Sequence, residues 1–276
     1  MSHIRILFLG DIVGVTGRAL FQKHIGRIKR ELEIDALIVN GENSSGGRGI
    51  TSKIVKFFKH NGADVITTGN HIWRQREIYS YLSEHDDLLR PANYPSSCPG
   101  KGVTTFSCKG YEIGIINLQG RIFMRDHVEC PFRTAETLTT YLKNKTNMIF
   151  IDFHAEATSE KMGLGYFMEG KISGLLGTHT HVLTADQRVL PGGTAYITDL
   201  GMSGSLNSMI GMQKGPILSH LITQMPTKFL VEKNPPYIMT GAYIDVDPTT
   251  GKAINIKRLK VVDDERLVGI ESQKER

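Results

Sequence analysis

Cysteine is scarce in this chain: three residues in 276, Cys98, Cys108 and Cys130. An odd number, at spacings that match neither Cys-x-x-Cys nor a zinc ribbon, excludes a disulfide scaffold. No apolar run approaches the roughly 18 residues that would span a bilayer. The opening Met-Ser-His-Ile-Arg-Ile-Leu-Phe-Leu-Gly-Asp lacks the cationic stretch, long apolar stretch and cleavage site of a secretory signal, and reads instead as a buried strand. The cytoplasm is therefore the expected compartment. Internal repeats, low-complexity tracts and a recognisable linker are missing as well. Charge of one sign is also in short supply: 33 Lys+Arg against 28 Asp+Glu leaves +5, with a pI near 9.0. So mild a positive field attracts phosphate-bearing ligands without demanding nucleic acid.

What is present is an ordinary globular composition, 40% hydrophobic with 29 glycines, which suffices for a large core. A single domain over residues 1–276, with a peripheral tail after about 263, is the expectation, and two domains the alternative. Ile4–Leu9 is an apolar run ending in Gly-Asp. Gly17–Leu32 follows with Leu20, His24, Ile28 and Leu32 four residues apart. That is a strand and then a helix. The unit recurs: Ala36–Val39 as strand, a polar loop, a helix beginning at Ile54–Phe58, and the strand Asp64–Thr68. Helices are predicted over Trp73–Ser83, Thr134–Lys143 and Gln213–Thr223. Further strands are predicted over Val103–Cys108, Tyr111–Asn117, Met148–Phe153, Ile172–Leu176, Val189–Leu190, Ala195–Ile197, Tyr237–Val246 and Ala253–Val262. This alternation predicts an α/β fold built as an αββα sandwich, mixed β-sheets inside and helices outside, with ligands at the carboxyl ends of the parallel strands.

Those strand ends share one chemistry. They read Gly10-Asp11, Gly41-Glu42-Asn43, Gly69-Asn70-His71, Asp152-Phe153-His154 and Gly177-Thr178-His179-Thr180-His181. A lone Asp or Asn after a strand is a common turn former, and a lone His is commonly structural. Five such ends are hard to attribute to turns. Two residues apart on extended chain, His179 and His181 would face one side, as would Asp152 and His154, with Asp152 orienting the imidazole. Seven candidate ligands, Asp11, Glu42, Asn43, Asn70, His154, His179 and His181, are too many for one open ion and suit two, with Glu42 able to bridge. Mixed imidazole, carboxylate and amide donors favour Mn²⁺ or Fe, with Zn²⁺ as an alternative, over Mg²⁺.

With these motifs the chain resembles the calcineurin-like metallophosphoesterases, and within them the bacterial YmdB-type branch. Most of that superfamily carries Asp-x-His at the first strand end and Asp as the bridge. Here Asp11-Ile12-Val13 and Glu42 stand in those places, as in the branch, where Asn43 replaces the missing histidine. The branch resemblance continues through Arg90-Pro91-Ala92-Asn93-Tyr94-Pro95, Asn117-Leu118-Gln119-Gly120-Arg121, Asp152 to Thr158 and Leu190 to Tyr196, and is looser over Asp199 to Ser208. It implies Asp11, Glu42, Asn43 and His181 around one metal, Glu42, Asn70, His154 and His179 around the other, and His71 as general acid. It also implies phosphodiesterase action on 2′,3′- or 3′,5′-cyclic nucleotides or related diesters, and a homo-oligomer. Two ions roughly 3.5–4 Å apart can share a hydroxide placed for in-line attack on phosphorus.

Two other readings stand beside this one. Gly10-Asp11-Ile12-Val13-Gly14-Val15-Thr16-Gly17 is a loose relative of a dinucleotide-binding loop, with Glu42 placed for a ribose contact. Alternatively the chain is a metal-binding regulator or RNA-associated scaffold with little turnover, touching phosphates through Lys53, Lys56, Lys59 and His60. Trp73, Tyr94 and Phe123 are aromatics that could stack on a base.

Overall fold

The computed structural model describes residues 3–267. In chain order its elements are β1 (Ile4–Leu9), β2 (Asp11–Ile12), α1 (Gly14–Glu31), β3 (Ala36–Asn40), α2 (Ser52–His60), β4 (Val65–Thr67), α3 (Ile78–Glu84), β5 (Val103–Cys108), β6 (Tyr111–Gln119) and α4 (Pro131–Lys143). There follow β7 (Met148–His154), α5 (Thr158–Phe167), β8 (Gly174–Thr178), β9 (Arg188–Val189), β10 (Ala195–Ile197), β11 (Met202–Ser205), α6 (Lys214–Thr223), β12 (Tyr237–Val246) and β13 (Ala253–Asp263). One sheet runs β2-β11-β12-β1-β3-β4, with β13 on the other edge of β12. The second runs β5-β6-β7-β8-β10-β9. β1, β3 and β4 are mutually parallel, as are β6, β7, β8 and β10.

Side-chain alternation makes this a four-layer sandwich. Along β1 the even residues Ile4, Ile6 and Phe8 meet Ile113, Ile115, Phe150 and Leu176 of the second sheet. The odd residues Leu7 and Leu9 join Leu20, Phe21, Ile25 and Ile28 of α1 and Val55 and Phe58 of α2. A period of two sends successive residues of one strand to opposite faces, so an unbroken apolar run is what a strand buried on both sides requires. The second sheet repeats the scheme: Ile149, Ile151 and Phe153 of β7 pack on Ala135 and Leu142 of α4 and Leu164 of α5. The αββα architecture of mixed sheets flanked by helices is thus the observed one.

Several elements differ from expectation. α1 starts at Gly14 rather than Gly17. The helix predicted over Trp73–Ser83 is a 3₁₀ turn at Ile72–Arg74, extended chain at Gln75 and then α3; Trp73 packs edge-on against Tyr79 and Tyr94, and the Tyr79 hydroxyl donates to the Trp73 carbonyl. The strand expected over Ile172–Leu176 lies at Gly174–Thr178, and α5, β2 and β11 were not foreseen. Of the tail after about 263, residues 268–276 lie outside the described residues. No described helix is long and apolar enough to cross a membrane.

Candidate metal centre

Parallel strands of both sheets end on one side, and each delivers its polar residues there. Asp11 follows β1, Glu42 and Asn43 follow β3, Asn70 and His71 follow β4, His154 closes β7, and His179 and His181 follow β8. All eight residues come together. Glu42 Oε1 lies 3.1 Å from His154 Nε2. The same nitrogen is 3.2 Å from Asn70 Oδ1 and 3.0 Å from His179 Nδ1. The donor atoms of Glu42, His154 and His179 all fall within 4.8 Å of one another. Beside this group, Asn43 Nδ2 reaches Asp11 Oδ1 at 3.1 Å, Glu42 Oε1 at 3.2 Å and His181 Nε2 at 3.0 Å. Glu42 Oε1 is common to both groups.

The tautomers follow from the second contact of each imidazole. The Thr178 hydroxyl donates its single proton to Asp152 Oδ1 (2.7 Å), so it accepts from His154 Nδ1 at 2.9 Å. The Ile210 carbonyl, which can only accept, takes His181 Nδ1–H at 2.8 Å. The Glu156 carboxylate lies 3.2 Å from His179 Nε2, and its charge favours the proton on that side. Each neutral ring is thereby fixed with a lone pair facing the cluster. His154 Nε2 and His179 Nδ1 would then oppose two lone pairs at 3.0 Å, beside the fully buried carboxylates of Asp11 and Glu42. Only a proton or a cation relieves such an arrangement, and the donor set of three imidazoles, two carboxylates and two amides fits transition-metal ions.

Electrostatics say the same. Burial disfavours charge on His154, yet Glu42 outweighs it and raises the imidazole to about 9. Burial, reinforced by the neighbouring His154, pushes His179 down to about 3. For Glu42 the burial penalty is overcome by His154 and His71, which hold its carboxyl well below the usual range; for Asp11 burial is outweighed by His181, which lowers its carboxyl. A proton on His154 would lie between Glu42 and His179, where a positive ion would be equally favoured.

His71 touches the shared carboxylate from outside, with Nδ1 3.2 Å from Glu42 Oε1. Its backbone N–H donates to Glu42 Oε2 at 3.1 Å and its Nδ1 lies 2.7 Å from Asn43 Oδ1. Nε2 makes no hydrogen bond among the described residues. Turning the Asn43 amide over would present its oxygen to Asp11, Glu42 and His181, where an ion fits, and its NH₂ to His71 Nδ1. The ring proton of His71 would then sit on Nε2.

The supporting shell departs from the sequence reading in two ways. Asp152 does not touch His154; it acts through Thr178, and also accepts from Asn40 Nδ2 at 3.1 Å and from the Thr67 hydroxyl. A burial-raised pKa of about 6 marks the cost of keeping that carboxylate dry. Nor are His179 and His181 on extended chain: their φ values are +107° and +65°, so they diverge to different groups. The loop that holds them is braced by Asp199, whose Oδ2 takes the Thr180 N–H at 3.0 Å and Lys161 Nζ at 2.7 Å, and whose Oδ1 takes the Gly201 N–H. Sequence reasoning missed Thr178, Glu156, Lys161 and Asp199. Only Thr178, set between Gly177 and His179, carried a positional signal.

The glycines before the strand-end residues allow close approach rather than sharp turns. A Cβ at Gly69 would overlap the His154 ring and the Glu42 carboxylate; one at Gly10 would strike the Gly201 carbonyl, and one at Gly177 the Thr198 carbonyl. Glu42 is sealed among histidines, unlike a ribose ligand. Lys59 donates to the Asp64 carbonyl and pairs with Asp87, which removes it from any free basic row on α2. A cavity of about 500 Å³ lined by Arg90, Tyr94, Cys130 and Arg133 includes none of the eight residues.

The model of the YmdB-like protein family matches residues 7–259. A 2′,3′-cyclic-nucleotide 2′-phosphodiesterase of Bacillus subtilis (strain 168) is 44% identical over 261 residues, covering 95% of this chain and 98% of the relative. A Mycoplasma pneumoniae protein described as a phosphatase/phosphodiesterase is 34% identical, with 96% and 95% covered. The crystal structure of a Mycoplasma pneumoniae phosphatase superposes with a TM-score of 0.90 at 33% identity, over 99% of this chain and 98% of that one.

Proposed function

Because the chain belongs to the YmdB-like protein family, we propose that it is a metal-dependent phosphodiesterase whose substrates are 2′,3′-cyclic nucleotides. The observation that carries this is the convergence of three imidazole lone pairs on the buried Asp11 and Glu42. The substrate class follows the name of the Bacillus subtilis relative. Asp11, Glu42, Asn43 and His181 would hold one ion, and Glu42, Asn70, His154 and His179 the other, with Fe or Mn preferred and Zn the alternative. When bound, such ions supply Lewis acidity toward phosphoryl oxygens and acidify water.

The chain's own residues do the rest. Glu42 keeps the two groups in register, since Oε1 is shared and Oε2 is fixed by the His71 N–H. His71 protonates the departing ribose oxygen from Nε2, which has no hydrogen-bond partner among the described residues. A well-placed acid contributes about 10²–10⁴ in rate. A diester asks for less compensating charge than a dianionic monoester, so diesters are the preferred class.

Elemental analysis of protein purified without chelator, paired with a panel of 2′,3′-cyclic AMP, 3′,5′-cyclic AMP and AMP, tests this reading. Two transition-metal ions per chain and metal-dependent turnover of the 2′,3′-cyclic diester are expected. Equal or greater turnover of AMP would make the protein a nucleotidase. Salt-sensitive RNA binding without turnover would make it a scaffold. Light scattering on the same sample reads the proposed homo-oligomer.

A further inference from the structure

The loop that leaves β6 presents an aromatic ring that nothing in the fold uses. Its first residue, Gly120, donates its N–H to the His154 carbonyl at 3.0 Å, so the loop begins one hydrogen bond from the buried cluster. The next two N–H groups, Arg121 at 3.0 and 3.1 Å and Ile122 at 3.2 Å, both end on the carboxylate of Glu160, which is buried on α5. At the far end Asp126 accepts from Gln119 Nε2 (3.2 Å), whose Oε1 accepts from the Tyr94 hydroxyl. Between these anchors Phe123 is held at φ +62°, with 86% of its surface exposed.

Both features are unfavourable unless something uses them. A bulky side chain at positive φ is a strained conformer, and such strain persists where the surroundings impose it, often at ligand clamps. An isolated phenyl in water gives up the burial that would stabilise it. Arg121 turns back to Cys130 Sγ at 3.6 Å. Trp73 is engaged edge-on by Tyr79 and Tyr94 at 5.7 and 5.4 Å, and Tyr94 is buried. Phe123 makes no ring contact among the described residues. Three residues from Gly120 to Phe123 span at most roughly 11 Å of chain, so Phe123 stays tethered close to the residue bonded to the His154 carbonyl.

We propose that Phe123 is a specificity-determining residue, stacking on the nucleobase of a substrate whose phosphate lies at the Glu42–His154 cluster. The proposal rests on the phosphodiesterase reading above and adds the base as a recognised part of the substrate. Stacking is tolerant of base identity because every base has a π face, so purine and pyrimidine substrates should benefit alike.

The test compares 2′,3′-cyclic AMP with ribose 2,3-cyclic phosphate, which keeps the reacting ring and lacks the base, in wild-type protein, Phe123→Ala and Phe123→Trp, all loaded with Mn²⁺. Loss of one base–aromatic stack predicts that the Ala variant lowers the nucleotide-to-ribose ratio of kcat/KM about 10-fold, through KM rather than kcat, and that Trp restores it. An unchanged ratio overturns the proposal. So does an equal loss on both substrates accompanied by a smaller particle in light scattering, which would make the ring a contact between copies. If wild-type protein turns over neither substrate, the phosphodiesterase reading fails. Calorimetric binding of adenosine 3′-phosphate still judges Phe123 in that case: weaker binding by the Ala variant supports it, and equal binding removes it.

Discussion

Replacing Lys161 with Met keeps most of the aliphatic stem and deletes the charge. In the folded protein Lys161 Nζ sits 2.7 Å from Asp199 Oδ2 with both side chains fully buried. Removing one partner of a buried pair costs about 3–5 kcal/mol, because the other charge stays behind without water. Asp199 keeps the N–H groups of Thr180 and Gly201, so the lower end, about 3 kcal/mol, applies. At roughly 2–4 °C per kcal/mol for a chain of this size, the melting temperature of the metal-free protein should fall by about 6–12 °C. The effect should not stop at stability. Thr180 lies between His179 and His181, and loosening an outer partner of metal ligands weakens binding by about 10–100-fold. Differential scanning calorimetry and Mn²⁺ titration on one sample measure both. Adding Asp199→Asn removes the stranded charge while leaving an acceptor for the backbone, and should recover most of the lost stability. A melting shift under about 2 °C, with unchanged Mn²⁺ affinity, would refute the idea that this pair braces the histidine loop.

His71→Ala should keep its metal content but lose about 10²–10⁴ in kcat on 2′,3′-cyclic AMP, and far less on an aryl diester whose leaving group scarcely needs a proton. A defect of equal size on both, with reduced metal, would assign His71 to bracing Asn70. Glu42→Gln should weaken both ion sites together, by more than the roughly 10–100-fold typical of an outer partner; loss of one ion alone would make Glu42 a terminal ligand. Metal affinity should also depend on pH. Glu42 raises His154 to about 9 in the metal-free protein, and an ion must displace that proton. Affinity should therefore fall about tenfold per unit as pH drops below 9. A flat profile of Kd between about pH 6.5 and 8.5 would contradict the assignment of His154 as a ligand.

Much of the fold and the candidate site could be read from the chain because the relevant signals are local. β1, β3 and β7 are buried on both faces, so their apolar runs stand out, and the polar residue that ends each run is the one at the crevice. Where burial is not apolar, the signal fails. The buried face of α5 is made by Glu160, Lys161, Leu164 and Gly165, two charges and a glycine among four, and carries no hydrophobic period to detect. Gly165 is there because the Tyr196 ring leaves no room for a Cβ. β2 and β11 are two and four residues long and pair with each other, too short for alternation to register. The route from Asp152 to His154 through Thr178 depends on β7 lying beside β8, a relation between residues 24 apart that spacing along one strand does not express. Likewise the Gly-Thr-His-Thr-His sequence suggests an extended run, whereas the bond from His181 to the Ile210 carbonyl goes with a left-handed backbone.

The cluster straddles the seam of the sandwich. Asp11, Glu42, Asn43, Asn70 and His71 hang from the first sheet, while His154, His179 and His181 hang from the second. The sheets themselves meet through the side chains of Ile6, Phe8, Ile115 and Phe150, a contact that resists separation but has little direction against sliding. Hydrogen bonds from Asn40 Nδ2 to Asp152 and from the His179 N–H to Asp11 Oδ2 do have direction, so they lock the shear of one layer over the other. An ion gripped from both sides would act as a rivet through the two layers. On this reading no such rivet could be set during synthesis before the second-sheet histidines had emerged.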